Sequence, residues 1–426
     1  MKLKWESIST LHQNVFLVKV LAAVFITGLA FRFYAVRFGQ VSVNEISDPQ
    51  ISPPSVIISE NEDLLPIGMI IFICQPHYNL CLNTCGDDKN LFLFVLDIEV
   101  EKCDLFTGKW IRDPLGPIYT NGSCGVVVDS HQNCITNGRP DSGFLYWKWK
   151  PNDCSLPRFD PLRFLQLMRN KSWAFIGDSI SRNHVESLLC MLSTVEKPVE
   201  VYHDDEYRSK RWLFPSHNLT ISNIWSPFLV QAAIFEDSRG VSSAAVQLHL
   251  DILDNTWTDL FPSIDYAIIS SGEWFLKTAI YHENANIVGC HGCPQSSNIT
   301  DLGFDYAYNT SLRHVMDFIA RSNTKGTIFF RTSIPDHFEN GEWHNGGTCK
   351  KTEPVNEDEV EMKVLNKILR DVEISQFQRV VTEMGQEAGH FKLLDFAGML
   401  LTRPDGHPGP YRTIVCIGAC LVRLIT

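Results

Sequence analysis

A serine hydroxyl becomes a nucleophile only where its proton can be removed and the resulting oxyanion stabilised, and one stretch of this sequence has a pattern suited to that chemistry. It reads Trp173-Ala174-Phe175-Ile176-Gly177-Asp178-Ser179-Ile180-Ser181-Arg182-Asn183-His184. A short apolar strand, Ser172 to Ile176, runs into Gly-Asp-Ser and then into a helical pattern from Ile180 to Met191. Ser179 therefore falls at a helix N-terminus, where free backbone N–H groups can hold an oxyanion beside the nucleophile. Gly177 lets the chain turn tightly, and Asp178 is expected to cap the helix or fix the loop rather than perform chemistry. Arg182 and Asn183 complete this candidate loop. A second strand-end segment, Ser270-Ser271-Gly272-Glu273-Trp274, offers Gly272 as a further backbone donor to the oxyanion, or simply as a turn glycine. His184 and His337 are read as structural.

These segments need a frame. Ser172 to Ile176, Ala245 to Leu253, Tyr266 to Ser270, Gly326 to Arg331 and Phe391 to Leu394 read as short buried strands. Between them, Leu312, Val315, Met316 and Ile319, and then Val360, Val364, Leu365, Ile368, Leu369 and Val372, recur at the spacing of one buried helix face. Strands alternating with helices imply an α/β sandwich with a largely parallel sheet, whose ligands bind beyond the carboxyl ends of the strands. This catalytic domain is expected over residues 160–412. Residues 101–159 are dense in Cys, Trp, Gly and Pro, and Cys103, Cys124, Cys134 and Cys154 suggest disulfide staples whose pairing the spacing leaves open. The Trp residues could stack on sugar rings or form core. Cys290-x-x-Cys293 reads as a disulfide pair rather than a metal site, and no metal is expected.

The 426 residues are 44% hydrophobic and 20% charged, enough for a full core. A net charge of -12 argues against a nucleic-acid partner and suits a neutral or small substrate. An apolar run from Val15 to Phe31, broken by Lys19 and closed by Arg32 and Arg37, is expected to anchor the chain in a membrane over residues 15–37, with 1–14 cytosolic. Residues 38–100 are read as a stem of uncertain structure. Thirteen Cys and five Asn-x-Ser/Thr sequons, at Asn121, Asn170, Asn218, Asn298 and Asn309, point to an oxidising, glycosylating lumen.

The Gly177-Asp178-Ser179 block, Asn137-Gly138-Arg139-Pro140-Asp141, Arg331-Thr332-Ser333-Ile334-Pro335-Asp336-His337-Phe338 and Arg403-Pro404-Asp405-Gly406-His407-Pro408-Gly409-Pro410-Tyr411 run in the order of the motifs of the plant trichome birefringence-like family, which this chain resembles over roughly residues 101–412. The resemblance implies a GDSL/SGNH-like esterase fold behind a Cys-rich subdomain and a type II Golgi membrane protein with a lumenal catalytic domain. It also implies O-acetylation of a cell-wall polysaccharide through acetyl-Ser179. Ser271-Gly272-Glu273-Trp274-Phe275 and Cys290-His291-Gly292-Cys293 resemble the mannan and xyloglucan branch more than the xylan branch. No bound cofactor is implied. The acetyl donor would be acetyl-CoA or another carrier, delivered by a membrane protein.

The family's acid and base come from an Asp-x-x-His motif after the Asp-Gly-His-Pro block. Here residues 413–426 run differently, so an impaired or inactive chain is expected, with Asp405 and His407 as the nearest substitutes. A carbohydrate acetylesterase, using water as acceptor, and a non-catalytic polysaccharide-binding protein are the alternatives.

Overall fold

A computed structural model describes residues 103–407, except 121, 125–132, 237–241, 323 and 343–345. The expected anchor, stem and tail, and the sequon at Asn121, lie outside the described residues. No helix among the described residues is long and apolar enough to cross a membrane.

The Cys-rich segment forms an antiparallel pair, β1 (Gly108–Arg112) and β2 (Trp147–Pro151), with Trp110 opposite Trp149. Helix α1 (Pro161–Leu167) leads into β3 (Ser172–Gly177), α2 (Ser179–Leu192), β4 (Val199–His203), β5 (Lys210–Phe214), β6 (Leu219–Trp225) and β7 (Val230–Ala233). There follow β8 (Val246–Leu253), the single turn α3 (Asn255–Thr258), β9 (Tyr266–Ile269), β10 (Ala279–Glu283), β11 (Asn286–His291) and α4 (Gly303–Arg321). The chain continues through β12 (Thr327–Arg331), α5 (Val364–Met384), β13 (Phe391–Leu394) and α6 (Ala397–Leu401).

The central sheet has seven strands in the order β13-β12-β9-β3-β6-β5-β4. The five from β13 to β6 are mutually parallel, while β5 and β4 add an antiparallel edge. Alternation along β3 explains the layering, because successive side chains point to opposite faces. Ala174 and Ile176 join the cluster made with Leu312, Val315, Met316 and Ile319 of α4 and Leu369 and Val380 of α5. Trp173 and Phe175 join the other cluster, with α1, Ile180, Val185 and Leu189 of α2, and Trp110 from the Cys-rich segment. The result is the expected α/β sandwich. Register brings the carboxyl ends of the parallel strands to one level, with Gly177 opposite Trp225, Ile176 opposite Ile269, and Arg331 opposite Leu394.

One expected strand of that sheet lies elsewhere. The 245–253 segment does form β8, but in a separate four-stranded sheet ordered β11-β10-β8-β7. Its sequence, VQLHLDIL, alternates apolar and polar residues, whereas the strands of the parallel sheet read as near-continuous apolar runs. Helix α5 begins at Val364, which is exposed, and the face it buries is Asn366, Leu369, Glu373, Gln376 and Val380 rather than the all-apolar face expected from the sequence.

The Cys-rich segment is tied to the sandwich in several ways. Cys103 pairs with Cys154, and Cys124 pairs with Cys190, which lies inside α2, so a disulfide joins this segment to the helix that carries Ser179. Cys134 is disulfide-bonded as well. The Trp110 indole donates to the Met399 carbonyl at 3.0 Å, and the Arg403 guanidinium stacks over its ring at 4.4 Å. Cys290 pairs with Cys293, which excludes them as a free metal-binding thiol pair, and no His, Cys, Asp or Glu group among the described residues could hold a metal ion. Cys349 is the free thiol among the described cysteines, and burial beside Asp336 and Glu339 pushes it up to about 12.

Of the sequons, Asn170 and Asn218 sit at exposed turns with positive φ, and the Asn218 amide donates to Asn170 Oδ1 at 3.2 Å. Asn298 also has positive φ, while Asn309 is exposed within α4 and accepts from Gln376 at 2.7 Å.

Candidate active site

The chain leaves β3 at Gly177 with φ 153°, and a Cβ there would stand 2.2 Å from the Ser270 carbonyl oxygen, so only glycine permits the two strand ends to approach this closely. Asp178 is the N-cap of α2: its Oδ1 accepts the Ile180 N–H at 2.9 Å. Ser179 is the first residue of the helix and partly exposed, and its N–H, one of the four that a helix start leaves over, finds no acceptor among the described residues. The neighbouring strand end delivers Gly272, with φ 146°, whose N–H is likewise free among the described residues. Here too a side chain would crowd, since a Cβ would lie 3.0 Å from Ser333 Cβ.

Beneath these residues is a buried polar layer. Arg331, 2% exposed, donates to Ser270 Oγ at 2.6 Å and to the Thr332 carbonyl at 2.8 Å. A guanidinium only donates, so Ser270 Oγ accepts from Arg331, and it shares a further hydrogen bond of 2.8 Å with Ser181 Oγ, linking β12 and β9 to the first turn of α2. Asn183 is buried one turn into α2, and Arg182 Nε lies 3.9 Å from Glu186 on the half-buried side. His184 follows. Burial, and then the Arg331 charge, hold its imidazole well below its ordinary value, so it is neutral.

Two acids, Asp178 and Glu373, face the Arg331 charge, and a third, Glu273, faces Asp178 and Glu373. Burial raises Asp178, opposed by Arg331 and by the hydrogen bonds from Ile180 and Ser181. Glu373 is pushed up to about 8 by burial, against its bonds from Tyr308 and Ser333. Glu273 is pushed up to about 8 by burial and then by Asp336 and Asp178. Starting from an ordinary value of 4.5, both glutamates keep protons in the folded chain that the unfolded chain has released. Stability from this source is therefore fully present below about pH 4.5 and declines as pH rises towards 8. The melting temperature should fall across that window, and Glu373→Gln, which cannot titrate, should make the fall shallower; an unchanged slope in differential scanning fluorimetry would remove Glu373 as a contributor.

Asp405 and His407 are both buried, but their side chains are not arranged as acid and base. Both Asp405 oxygens accept from Arg403, at 2.7 and 2.9 Å, in an ion pair with no exposure on either side. Arg139, from the Asn-Gly-Arg-Pro-Asp block, donates to the backbone carbonyls of Asp405 and His407 at 2.6 and 3.1 Å and stacks on Phe144. Asp405 thus holds a loop rather than orienting an imidazole, because its acceptor capacity on both oxygens is committed to a guanidinium. His407 rests edge-on against Phe338 at 4.7 Å. Phe338 lies two residues after Asp336, whose charge acts on Glu273, which in turn faces Asp178. His337 donates from Nε2 to the Leu400 carbonyl at 2.8 Å and is structural, as expected. A cavity of about 250 Å³, lined by Ser172, Thr220, Ser222 and Arg211, lies at the opposite end of β3 and β6 from Ser179.

A strand-to-helix Gly-Asp-Ser turn at the carboxyl edge of a parallel sheet is accompanied by a family match: residues 156–415 fit PC-esterase, the GDSL/SGNH-like acyl-esterase family found in Pmr5 and Cas1p, and residues 101–155 fit the PMR5 N-terminal domain. The chain belongs to the PC-esterase family. It is similar to the protein trichome birefringence-like 23 of Arabidopsis thaliana, 78% identical over 417 residues that cover 97% of this chain and 90% of that one. It is also similar to xyloglucan O-acetyltransferase 1 of Arabidopsis thaliana, 44% identical over 313 residues, 72% of this chain and 71% of that one. Xyloglucan O-acetyltransferase 2 of the same plant is 40% identical over 327 residues, covering 76% and 78%. By this membership the PC-esterase described here is an enzyme of the O-acetyltransferase kind.

Sequence reasoning missed two acids of this PC-esterase, the buried Glu373 and the half-buried Glu273. Glu373 was available from the stripe Asn366, Leu369, Glu373, Gln376, Val380, spaced three and four apart, in which three polar residues occupy positions that face a core. Glu273 stood in the quoted Ser-Gly-Glu-Trp block, but nothing in its spacing announced its burial.

Proposed function

We propose that this chain transfers acetyl groups to hydroxyls of a plant cell-wall hemicellulose, xyloglucan or mannan in preference to xylan, through an acetyl-Ser179 intermediate. The observation that carries this reading is the placement of Ser179 at the start of α2, with the N–H groups of Ser179 and Gly272, which have no acceptor among the described residues, on adjacent strand ends. Ser179 Oγ attacks the acetyl carbonyl of the donor, and the carbonyl oxygen gathers negative charge that hydrogen bonds donated by those two N–H groups stabilise. Collapse of the tetrahedral species expels the donor's leaving group and leaves Ser179 acetylated. A sugar hydroxyl then attacks the ester, loses its proton, and restores the Ser179 hydroxyl. His407 is proposed as the substitute imidazole that carries these protons, and because both Asp405 oxygens are taken by Arg403, so that no carboxylate orients it, transfer by this chain is proposed to be impaired. The names of the relatives that act on xyloglucan support the acceptor class.

The donor is proposed to be acetyl-CoA or another acetyl carrier, supplied by a membrane protein, and the site of action the Golgi lumen, with residues 15–37 as a type II anchor. The Cys103–Cys154, Cys124–Cys190 and Cys290–Cys293 disulfides support an oxidising compartment.

The test is incubation of the full chain with an acetyl donor and, separately, xyloglucan, mannan and xylan oligosaccharides, read by mass spectrometry. Acetylated xyloglucan or mannan oligosaccharide is the expected product. Free acetate alone would make the chain a hydrolase, and glycan binding without turnover would make it a binding protein.

A further inference from the structure

The Tyr308 hydroxyl on α4 lies 3.0 Å from the Ser271 carbonyl oxygen and 2.6 Å from Glu373 Oε1, and it has one hydrogen to give. The Glu373 carboxyl also receives the Ser333 N–H, at 3.0 Å to each oxygen, and the Ser333 hydroxyl at 3.3 Å. All four residues are buried, Tyr308 and Glu373 completely. Acyl transfer by Ser179 calls on neither Tyr308 nor Glu373 directly. The Ser271 carbonyl, however, belongs to the same peptide unit as the Gly272 N–H, and in a planar trans peptide these two groups point in opposite directions. To hold one is to aim the other.

We propose that Tyr308 and Glu373 form a positioning pair for acetyl transfer, in which Tyr308 anchors the Ser271 carbonyl so that the Gly272 N–H faces the developing oxyanion. The inference rests on the reading of Ser179 as nucleophile and Gly272 as oxyanion donor. Its proton inventory is specific. When Glu373 is protonated, its O–H donates to the Tyr308 oxygen, and the single Tyr308 hydrogen is free for Ser271. When Glu373 is ionised, Tyr308 turns its hydrogen to the carboxylate, and the Ser271 carbonyl is released. The groups facing this switch are Tyr308 on α4, Arg331 on β12, Arg370 on the same helix α5, Glu273 after β9, and Asp178 before α2. Burial outweighs Arg331 and pushes Glu373 up to about 8, so the productive arrangement holds at neutral pH and is lost above that value. Glu273 is pushed to about 8 as well, so the native pH profile alone does not assign the switch; a variant that removes only the Glu373 proton does.

The experiment is steady-state hydrolysis of p-nitrophenyl acetate by the full chain and its variants, between about pH 5 and pH 9, together with a crystal structure of Tyr308→Phe. Tyr308→Phe keeps the ring that packs on Phe275 at 4.7 Å and removes only the hydroxyl. It should lower kcat by about 10- to 100-fold with KM within about 2-fold, short of the 10²–10³-fold loss seen when an oxyanion donor is deleted outright. Glu373→Ala should behave in the same way. Glu373→Gln should recover most of that loss and lack the native fall in kcat above about pH 8, because the amide N–H₂ still donates to Tyr308 while its oxygen still accepts from Ser333.

If Ser179→Ala is inactive while Tyr308→Phe retains native kcat, the positioning role is overturned and the serine reading stands. If Ser179→Ala is as active as the native chain, the serine reading fails and the crystal structure decides: a rotated 271–272 peptide upholds the Tyr308 anchor, and an unmoved one overturns it.

Discussion

Replacing Ser179 with alanine is expected to lower acetyl transfer by about 10³-fold or more, the scale found when the nucleophile of a serine enzyme is removed. The folded state should be little affected. Ser179 is partly exposed, its side chain makes none of the hydrogen bonds that bind α2 to the sheet, and the helix start is held by Asp178 and by the Ser181–Ser270–Arg331 chain. The Ser179→Ala variant should therefore melt with the native chain and retain affinity for acceptor oligosaccharides. A variant that loses activity only because it unfolds would show a lowered melting temperature.

The largest expected effect on stability is that of Arg331→Met. Arg331 is fully buried, and it is the cation that Asp178, Glu373 and Tyr308 all face. A methionine fills comparable space but leaves Asp178 without its main opposing charge and Ser270 Oγ without its donor. Leaving a buried acceptor without its donor costs about 1–3 kcal/mol, and the Asp178 carboxylate, buried without the charge that opposes it, adds to that loss. Two effects share this origin and separate it from a simple packing loss. The destabilisation should diminish at lower pH, where Asp178 takes up a proton, and it should be relieved in part by a second substitution, Asp178→Asn. Chemical denaturation of the two variants and the pair measures this coupling, and strictly additive losses would deny it.

Much of the frame was legible in the sequence. The apolar runs at β3, β9, β12 and β13 are buried parallel strands, and Leu312, Val315, Met316 and Ile319 line one face of α4, because in these places burial demands apolar side chains at a fixed period. Legibility failed where the demand was different. The strand at 246–253 alternates polar and apolar residues because one of its faces is wet, and that pattern does not say which sheet it joins. In α5 the buried stripe includes Asn366, Glu373 and Gln376, so the apolar residues pointed to a neighbouring face instead. The cost of burying those groups is offset by specific partners, Tyr308 and Ser333 for Glu373, which lie 65 and 40 residues away in sequence and leave no local mark. Partnership also decided Asp405. Its Asp-x-His spacing looks like acid and base, yet Arg403, two residues before it, takes both carboxylate oxygens. At Ser179 itself, strand, glycine, cap and helix are contiguous, so that part of the site could be read directly.

The central claim is that Ser179 carries the acetyl group, and the most direct test is peptide-resolved mass spectrometry of the full chain quenched with acid after brief exposure to an acetyl donor without acceptor. One acetyl group is expected on the peptide containing Ser179, absent from Ser179→Ala and discharged when xyloglucan or mannan oligosaccharide is added. Turnover to acetylated oligosaccharide with no acetyl found on Ser179, or an adduct that persists unchanged in the presence of acceptor, would contradict it.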